Sequence, residues 1–140
     1  MKALLAVAIF FFAVATTITH TEESSVHRII GTWAWTYEKN NCSEVYEFKS
    51  DRTSKVTSGK EILEIRFTIS DHPDSNGFYR MTQVVTKSNG QTGCDGRSGG
   101  TPVGDASTIY IVFHRVMEKM LMCYSPSFNS CFGPLVRLTQ

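Results

Sequence analysis

The chain has 140 residues, enough for one domain with a buried core. Its 14 Lys and Arg residues nearly balance its 13 Asp and Glu residues, and no basic run stands out. Nucleic acid and anionic membrane surfaces are therefore disfavoured as the main partner, because phosphate binding requires clustered Lys and Arg.

Residues 1–15 have the features of an export signal that is removed from the mature protein. Lys2 provides the positive charge, an unbroken apolar run follows, and Ala13 and Ala15 are small residues at the positions that signal peptidase recognises. The run is shorter than the roughly 20 apolar residues of a permanent membrane span, so a stable anchor is the less favoured alternative. We therefore predict a secreted or periplasmic protein, whose mature part carries 13 basic and 13 acidic residues.

After this signal, the sequence predicts a flexible arm over 16–28 and a single β-barrel domain over 29–140. Alternation is clearest in the fourth strand, where Leu63 and Ile65 share one face and Glu64 lies on the other. The eight predicted strands cover residues 30–38, 43–49, 53–57, 61–70, 78–87, 108–114, 120–124 and 132–138. Short strands with short connections predict an all-β, antiparallel, up-and-down meander, and eight strands are enough to close it into a barrel.

The four cysteines, in an exported chain, predict two disulfides. A zinc site is the alternative, but no two cysteines have the short spacing of structural zinc ligands. Because strand direction alternates in a meander, all four cysteines are expected at one end of the barrel. Three pairings are possible, and the preferred one joins Cys123 to Cys131 across the last hairpin and Cys42 to Cys94.

The first strand opens with Gly31-Thr32-Trp33. In an exported eight-stranded barrel, this motif resembles the lipocalin and wider calycin group, in which Gly-x-Trp opens the first strand and its Trp packs beneath an Arg. The resemblance implies that Trp33 lies at the closed end of the barrel and that Arg137, late in the last strand, stacks on it. The group's second motif, a Thr-Asp-Tyr-type turn, is missing, and segment 114–118 stands in its place.

The aromatic face of the first strand is the candidate ligand wall. Trp33, Trp35 and Tyr37 alternate along the strand, so they either fill a solid interior or line a cavity. We predict that Trp33 is a core residue and that Trp35 and Tyr37, nearer the open end, contact a ligand. Tyr46 and Glu44 of the second strand join them, with Glu44 either a buried polar anchor or a residue exposed at the rim.

Segment 88–107 is the candidate partner-binding loop. It is rich in glycine, has no apolar period, and is tethered at the barrel opening by Cys94. Its charged residues are Asp95, Arg97 and Asp105. Such a loop can cover the barrel, enter the cleft of a partner protein, or have no role in binding.

No motif for catalysis, a cofactor or a metal is found, and we predict a protein that is not an enzyme. Two functions remain in competition. A binding protein that holds a small apolar or amphipathic ligand requires a cavity of at least a few hundred Å³. An inhibitor or immunity-type protein, which blocks a partner enzyme with segment 88–107, predicts a filled barrel and an exposed loop.

Overall fold

The computed structural model describes residues 27–116 and 118–139, so the predicted signal 1–15 and most of the predicted arm lie outside the described residues. The described residues form a closed antiparallel barrel of eight strands, in which each strand pairs with the next and the last pairs with the first. The strands are β1 (Gly31–Tyr37), β2 (Cys42–Phe48), β3 (Thr53–Ser58), β4 (Glu61–Ile69), β5 (Tyr79–Ser88), β6 (Ala106–Phe113), β7 (Lys119–Cys123) and β8 (Cys131–Arg137). The predicted up-and-down barrel is confirmed, and no strand end differs from its predicted position by more than two residues.

Inward and outward side chains alternate along the strands, as barrel geometry requires. In β4 every odd-numbered residue from Glu61 to Ile69 is buried and every even-numbered residue between them is exposed. In the polar β3, Ser54, Val56 and Ser58 are the buried residues. Because β3 is present, strand direction keeps its predicted alternation through the rest of the chain.

The lower half of the barrel, at the end where β1 begins, is packed with large side chains. Trp33 is fully buried, and its Nε1 donates a hydrogen bond of 2.8 Å to the Ile29 carbonyl. Phe48 and Phe67 meet edge to face with ring centroids 5.3 Å apart. We call the cluster around them the lower core, and its further members include Ile69, Met81, Ile111, Phe113, Met120 and Leu135.

Arg137 closes the lower core from outside. Its guanidinium carbon lies 4.2 Å from the Trp33 ring centroid, and its Nη1 donates a 2.6 Å hydrogen bond to the Ile30 carbonyl. Its Nε also contacts the Glu118 carboxylate. This is the Arg-on-Trp packing that the resemblance implied for these two residues.

The first described residues belong to this closed end. The Ile30 amide donates to the His27 carbonyl at 2.9 Å, forming a turn, and Ile29 is fully buried. The His27 ring meets Tyr79 edge-on with centroids 5.2 Å apart. Residues 27 and 28, the end of the predicted arm, therefore pack against the barrel.

The opposite end of the barrel, which we call the mouth, carries both disulfides. Cys42 is bonded to Cys94 and Cys123 to Cys131, which confirms the preferred pairing and the expected gathering at one end. Disulfides of this kind indicate an oxidising compartment. Within the described residues, no helix has the length and apolar character needed to cross a bilayer.

Candidate functional site

A cavity of about 770 Å³ occupies the upper half of the barrel and opens at the mouth. Its base is formed where Ile109 and Met122 cap the lower core. Binding sites for small molecules typically measure about 300–1,000 Å³. The volume is thus that of a site for a small organic ligand.

Two apolar surfaces face each other across this cavity. Val56, Leu63, Ile65 and Val85 form a compact cluster on β3, β4 and β5. On the other side of the barrel, the Trp35 ring packs against the rings of Tyr37 and Phe132, with centroids 5.1 and 5.2 Å away. A ligand in the lumen would therefore lie between an aliphatic and an aromatic wall.

Above the aliphatic wall, three polar side chains lie in a row across neighbouring strands. Glu44 of β2 is the register partner of Ser58 on β3, and Ser58 is the register partner of Glu61 on β4. The Ser58 hydroxyl donates a 2.7 Å hydrogen bond to Glu44 Oε1. Glu61 is only 6% exposed, and all three residues line the cavity. We call these residues the carboxylate row.

Tyr46 extends the carboxylate row toward the aromatic wall. Its hydroxyl donates a 2.5 Å hydrogen bond to Glu44 Oε2. Burial of the phenol raises the pKa of Tyr46 well above its usual range, and the charge of Glu44 and the hydrogen bond to it raise it further. Tyr46 therefore remains a neutral donor at any physiological pH.

The connection between β5 and β6 folds over the mouth instead of projecting from it. The Cys94 amide donates to the Ser58 hydroxyl at 2.9 Å, and the Thr101 amide donates to Glu61 Oε1 at 2.5 Å. The Asn40 side chain, from the neighbouring connection, donates to the Cys94 carbonyl at 3.1 Å. The segment thus covers part of the cavity with its own backbone.

Two glycines allow this close approach. A Cβ added to Gly93 would lie 2.7 Å from Glu61 Oε2, and one added to Gly100 would lie 2.8 Å from Glu61 Oε1. Gly100 also has a φ of +63°, a conformation that residues with a Cβ rarely adopt. The glycine content of the segment therefore reflects its packing against a buried carboxylate.

The three charged residues predicted as a partner-binding set lie at the outer part of the cavity. Asp95, Arg97 and Asp105 are all exposed and all contribute to its lining. Arg97 Nε lies 3.6 Å from Asp95 Oδ2, an exposed ion pair that contributes little to stability. They form a charged rim, and their side chains remain accessible to solvent.

The structure brings the predicted ligand-contacting residues together around one cavity: Trp35, Tyr37, Glu44 and Tyr46. Glu44 is half-buried and hydrogen-bonded, which corresponds to the buried-anchor alternative. Sequence reasoning missed Ser58 and Glu61. The alternation along the strands could have identified them. Ser58 lies two residues after the buried Val56 on β3, and Glu61 lies two residues before the buried Leu63 on β4, so each shares the inward face.

Among the described residues, no group of three or more His, Cys, Asp or Glu side chains is placed to hold a metal ion. Comparison with known proteins gave no matching family model, no matching curated protein and no matching solved structure. The fold and the cavity therefore define the class: an antiparallel eight-stranded barrel, closed at one end and disulfide-bonded at its open end.

Proposed function

We propose that this protein is an exported, lipocalin-like binding protein that holds a small apolar or amphipathic ligand in the upper half of its barrel. The observation that carries the proposal is the cavity of about 770 Å³. Its two facing apolar walls would remove most of a small ligand's surface from water, which supplies the main driving force for binding.

Export is supported by two independent features. Both cysteine pairs are oxidised, which fits an extracellular or periplasmic compartment. The apolar run in residues 1–15, with Lys2 before it and small residues at its end, has the composition of a signal peptide.

The inhibitor hypothesis has less support. It expects a filled barrel, whereas the upper half contains a cavity. It also expects an exposed segment 88–107; the charged residues of this segment are exposed, but the amides of Cys94 and Thr101 bond to the carboxylate row. The cavity is the observation that favours ligand binding in the lumen.

Filling the lumen provides the test. Leu63 points into the cavity, whereas its neighbour Ile62 is 42% exposed on the outer surface. We expect Leu63→Trp to reduce binding of a neutral apolar dye, N-phenyl-1-naphthylamine, by about 10-fold or more, because the added indole occupies ligand volume. The measurement is dye fluorescence titrated at constant protein concentration.

Ile62→Trp is the matched control, and it should bind the dye as the unchanged protein does. Val85→Phe is a second lumen variant with a smaller added volume, in case the larger substitution prevents folding. Equal dye binding by the folded lumen variants and the control would rule out the lumen as the binding site.

A further inference from the structure

The carboxylate row places two acidic groups close together inside the barrel. Ser58 Oγ is hydrogen-bonded to Glu44 and accepts a hydrogen bond from the Cys94 amide. Ser58 Oγ and Glu61 Oε2 both lie about 3 Å from one point, the position of a Cβ on Gly93. Glu44 and Glu61 therefore line the same part of the cavity, on either side of Ser58.

Among the described residues, the groups that bond to these carboxylates are all neutral. Glu44 accepts from the hydroxyls of Tyr46 and Ser58, and Glu61 accepts from the Thr101 amide. In the part of the chain that the structure describes, neither carboxylate forms an ion pair with Lys, Arg or His. The hydrogen bond from the Thr101 amide reaches Glu61 at Oε1.

Such an arrangement is costly without a ligand. A carboxylate taken out of water needs an opposite charge or a full set of hydrogen bonds to offset its lost hydration. Glu61 is 94% shielded from solvent and lines the cavity, yet no cationic group of the described residues offsets its charge. The missing partner is therefore expected in the ligand.

We propose that the ligand is an amphipathic amine whose protonated amino group binds between Glu44 and Glu61 and whose apolar body lies between the cavity walls. This inference rests on the proposed function, because it names the class of molecule that the lumen holds. An ammonium group has three donors, which suit carboxylate oxygens on two neighbouring sides.

The surroundings favour an organic cation over other ligands. Leu63 and Val85 on one side and Trp35 on the other offer apolar contacts, and an indole ring also attracts a cation. A calcium ion needs about six or more oxygen ligands, and the described residues offer no metal-binding group. An anionic amphiphile would be repelled by both carboxylates.

The test compares three probes that share one apolar body and differ in the head group: 4-phenylbutylamine, 4-phenylbutan-1-ol and 4-phenylbutanoate. Each is titrated calorimetrically into the protein lacking residues 1–15 at neutral pH. We expect the amine to bind about 10-fold or more tightly than the alcohol, since charge-assisted hydrogen bonds exceed neutral ones. The carboxylate probe should bind more weakly than either.

Two variants of β4 locate the effect. Glu61→Gln keeps an oxygen that accepts the Thr101 amide hydrogen, so the cover over the mouth persists, and only the charge is removed. We expect it to weaken amine binding by about 10-fold and to change alcohol binding much less. Glu64→Gln is the matched control, because Glu64 lies on the outer face of the same strand and pairs with Lys87 at 2.9 Å.

The outcomes separate the two proposals. Equal affinities of amine and alcohol, or an equal effect of Glu61→Gln on both, would overturn the amine inference and leave ligand binding in the lumen intact. If none of the probes binds and the neutral dye does not bind either, the proposed function fails, and the amine inference fails with it.

Discussion

Gly31 permits the Arg137 packing that closes the lower core. Its φ is +132°, and a Cβ at this position would collide with Arg137 Nη1. That nitrogen donates to the Ile30 carbonyl, so its displacement would also break a hydrogen bond. The first residue of the Gly-x-Trp motif is therefore required by the guanidinium that covers Trp33.

We expect Gly31→Ala to lower the free energy of unfolding by about 2–4 kcal/mol, combining backbone strain with loss of the Arg137 contacts. Gly77 is the matched control, because its φ is +90° and no atom lies within 4 Å of an added Cβ. Gly77→Ala should show the backbone component alone, about 1–2 kcal/mol. Urea unfolding measures both, and equal losses would contradict a role for Arg137.

His27 makes the stability of the closed end depend on pH. Its Nε2 donates to the Ser70 carbonyl at 3.2 Å, and its Nδ1 accepts from the Ile29 amide at 3.1 Å, so the ring is neutral. Desolvation by burial lowers the pKa of His27 below its usual value of 6.5, against the opposing effects of the Ser70 carbonyl and Asp71. The nearby charge of Arg52 lowers it further.

The unfolded chain binds a proton at His27 more tightly than the folded protein does. The contribution of neutral His27 to the free energy of unfolding is therefore complete above about pH 6.5 and is lost as the pH falls below that value. We expect the urea midpoint of the unchanged protein to fall more than that of His27→Gln between about pH 6.5 and pH 5. His72→Gln, at an exposed histidine, serves as control and should follow the unchanged protein. Parallel pH profiles for all three would exclude His27 as the titrating group.

The two disulfides differ in the element that each one restrains. Cys42–Cys94 spans 52 residues and fixes the β5–β6 connection, whereas Cys123–Cys131 spans 8 residues within one hairpin. In the chain-entropy description, the disulfide that closes the longer loop adds about 4 kcal/mol to the free energy of unfolding, and the one that closes the shorter loop adds about 2.5 kcal/mol. Only the first is expected to hold the cover over the carboxylate row.

We therefore expect C42S/C94S to be less stable than C123S/C131S in urea and to exchange the Thr101 amide hydrogen faster. That hydrogen is bonded to Glu61 Oε1, so its exchange reports detachment of the cover. Hydrogen exchange followed by NMR gives the comparison. Equal Thr101 protection in the two double variants would show that the cover is held by its hydrogen bonds alone.

At the level of elements, the strands could be predicted from the sequence more completely than the contacts between segments. Leu63, Ile65 and the rest of β4 alternate so regularly that the strand and its inner face could be predicted. The contacts of Gly93 and Gly100 could not, because a backbone that packs against a carboxylate leaves no side-chain pattern. Glu61 was missed for a related reason: a glutamate beside a turn is far more often exposed than buried.

At the scale of the whole molecule, the two halves of the barrel are packed differently. Inward positions of the lower half carry Trp33, Phe48 and Phe67, which fill the space between the strands. In the upper half, the inward positions of β3 carry Val56 and Ser58, which leave space between this strand and the aromatic wall at Trp35. A barrel of eight strands can be filled by side chains or can enclose a cavity; here the lower half is filled and the upper half encloses a cavity.

This division was only partly accessible from sequence. Trp33 was predicted as core and Trp35 as a cavity residue from their distance to the open end, and the burial of Trp33 and the cavity position of Trp35 match that expectation. The cavity volume itself was not predictable. It depends on strand tilt and on side chains contributed by distant strands, which alternation along one strand does not determine.

The two tryptophans also give the protein an internal optical reporter. Trp33 is sealed in the lower core beside Arg137, and Trp35, two residues further along β1, lines the cavity. They are the only tryptophans in the sequence. Ligand entry into the lumen should consequently change the fluorescence emission of Trp35 and leave that of Trp33 largely unchanged. The occupancy of the cavity can therefore be followed without a label.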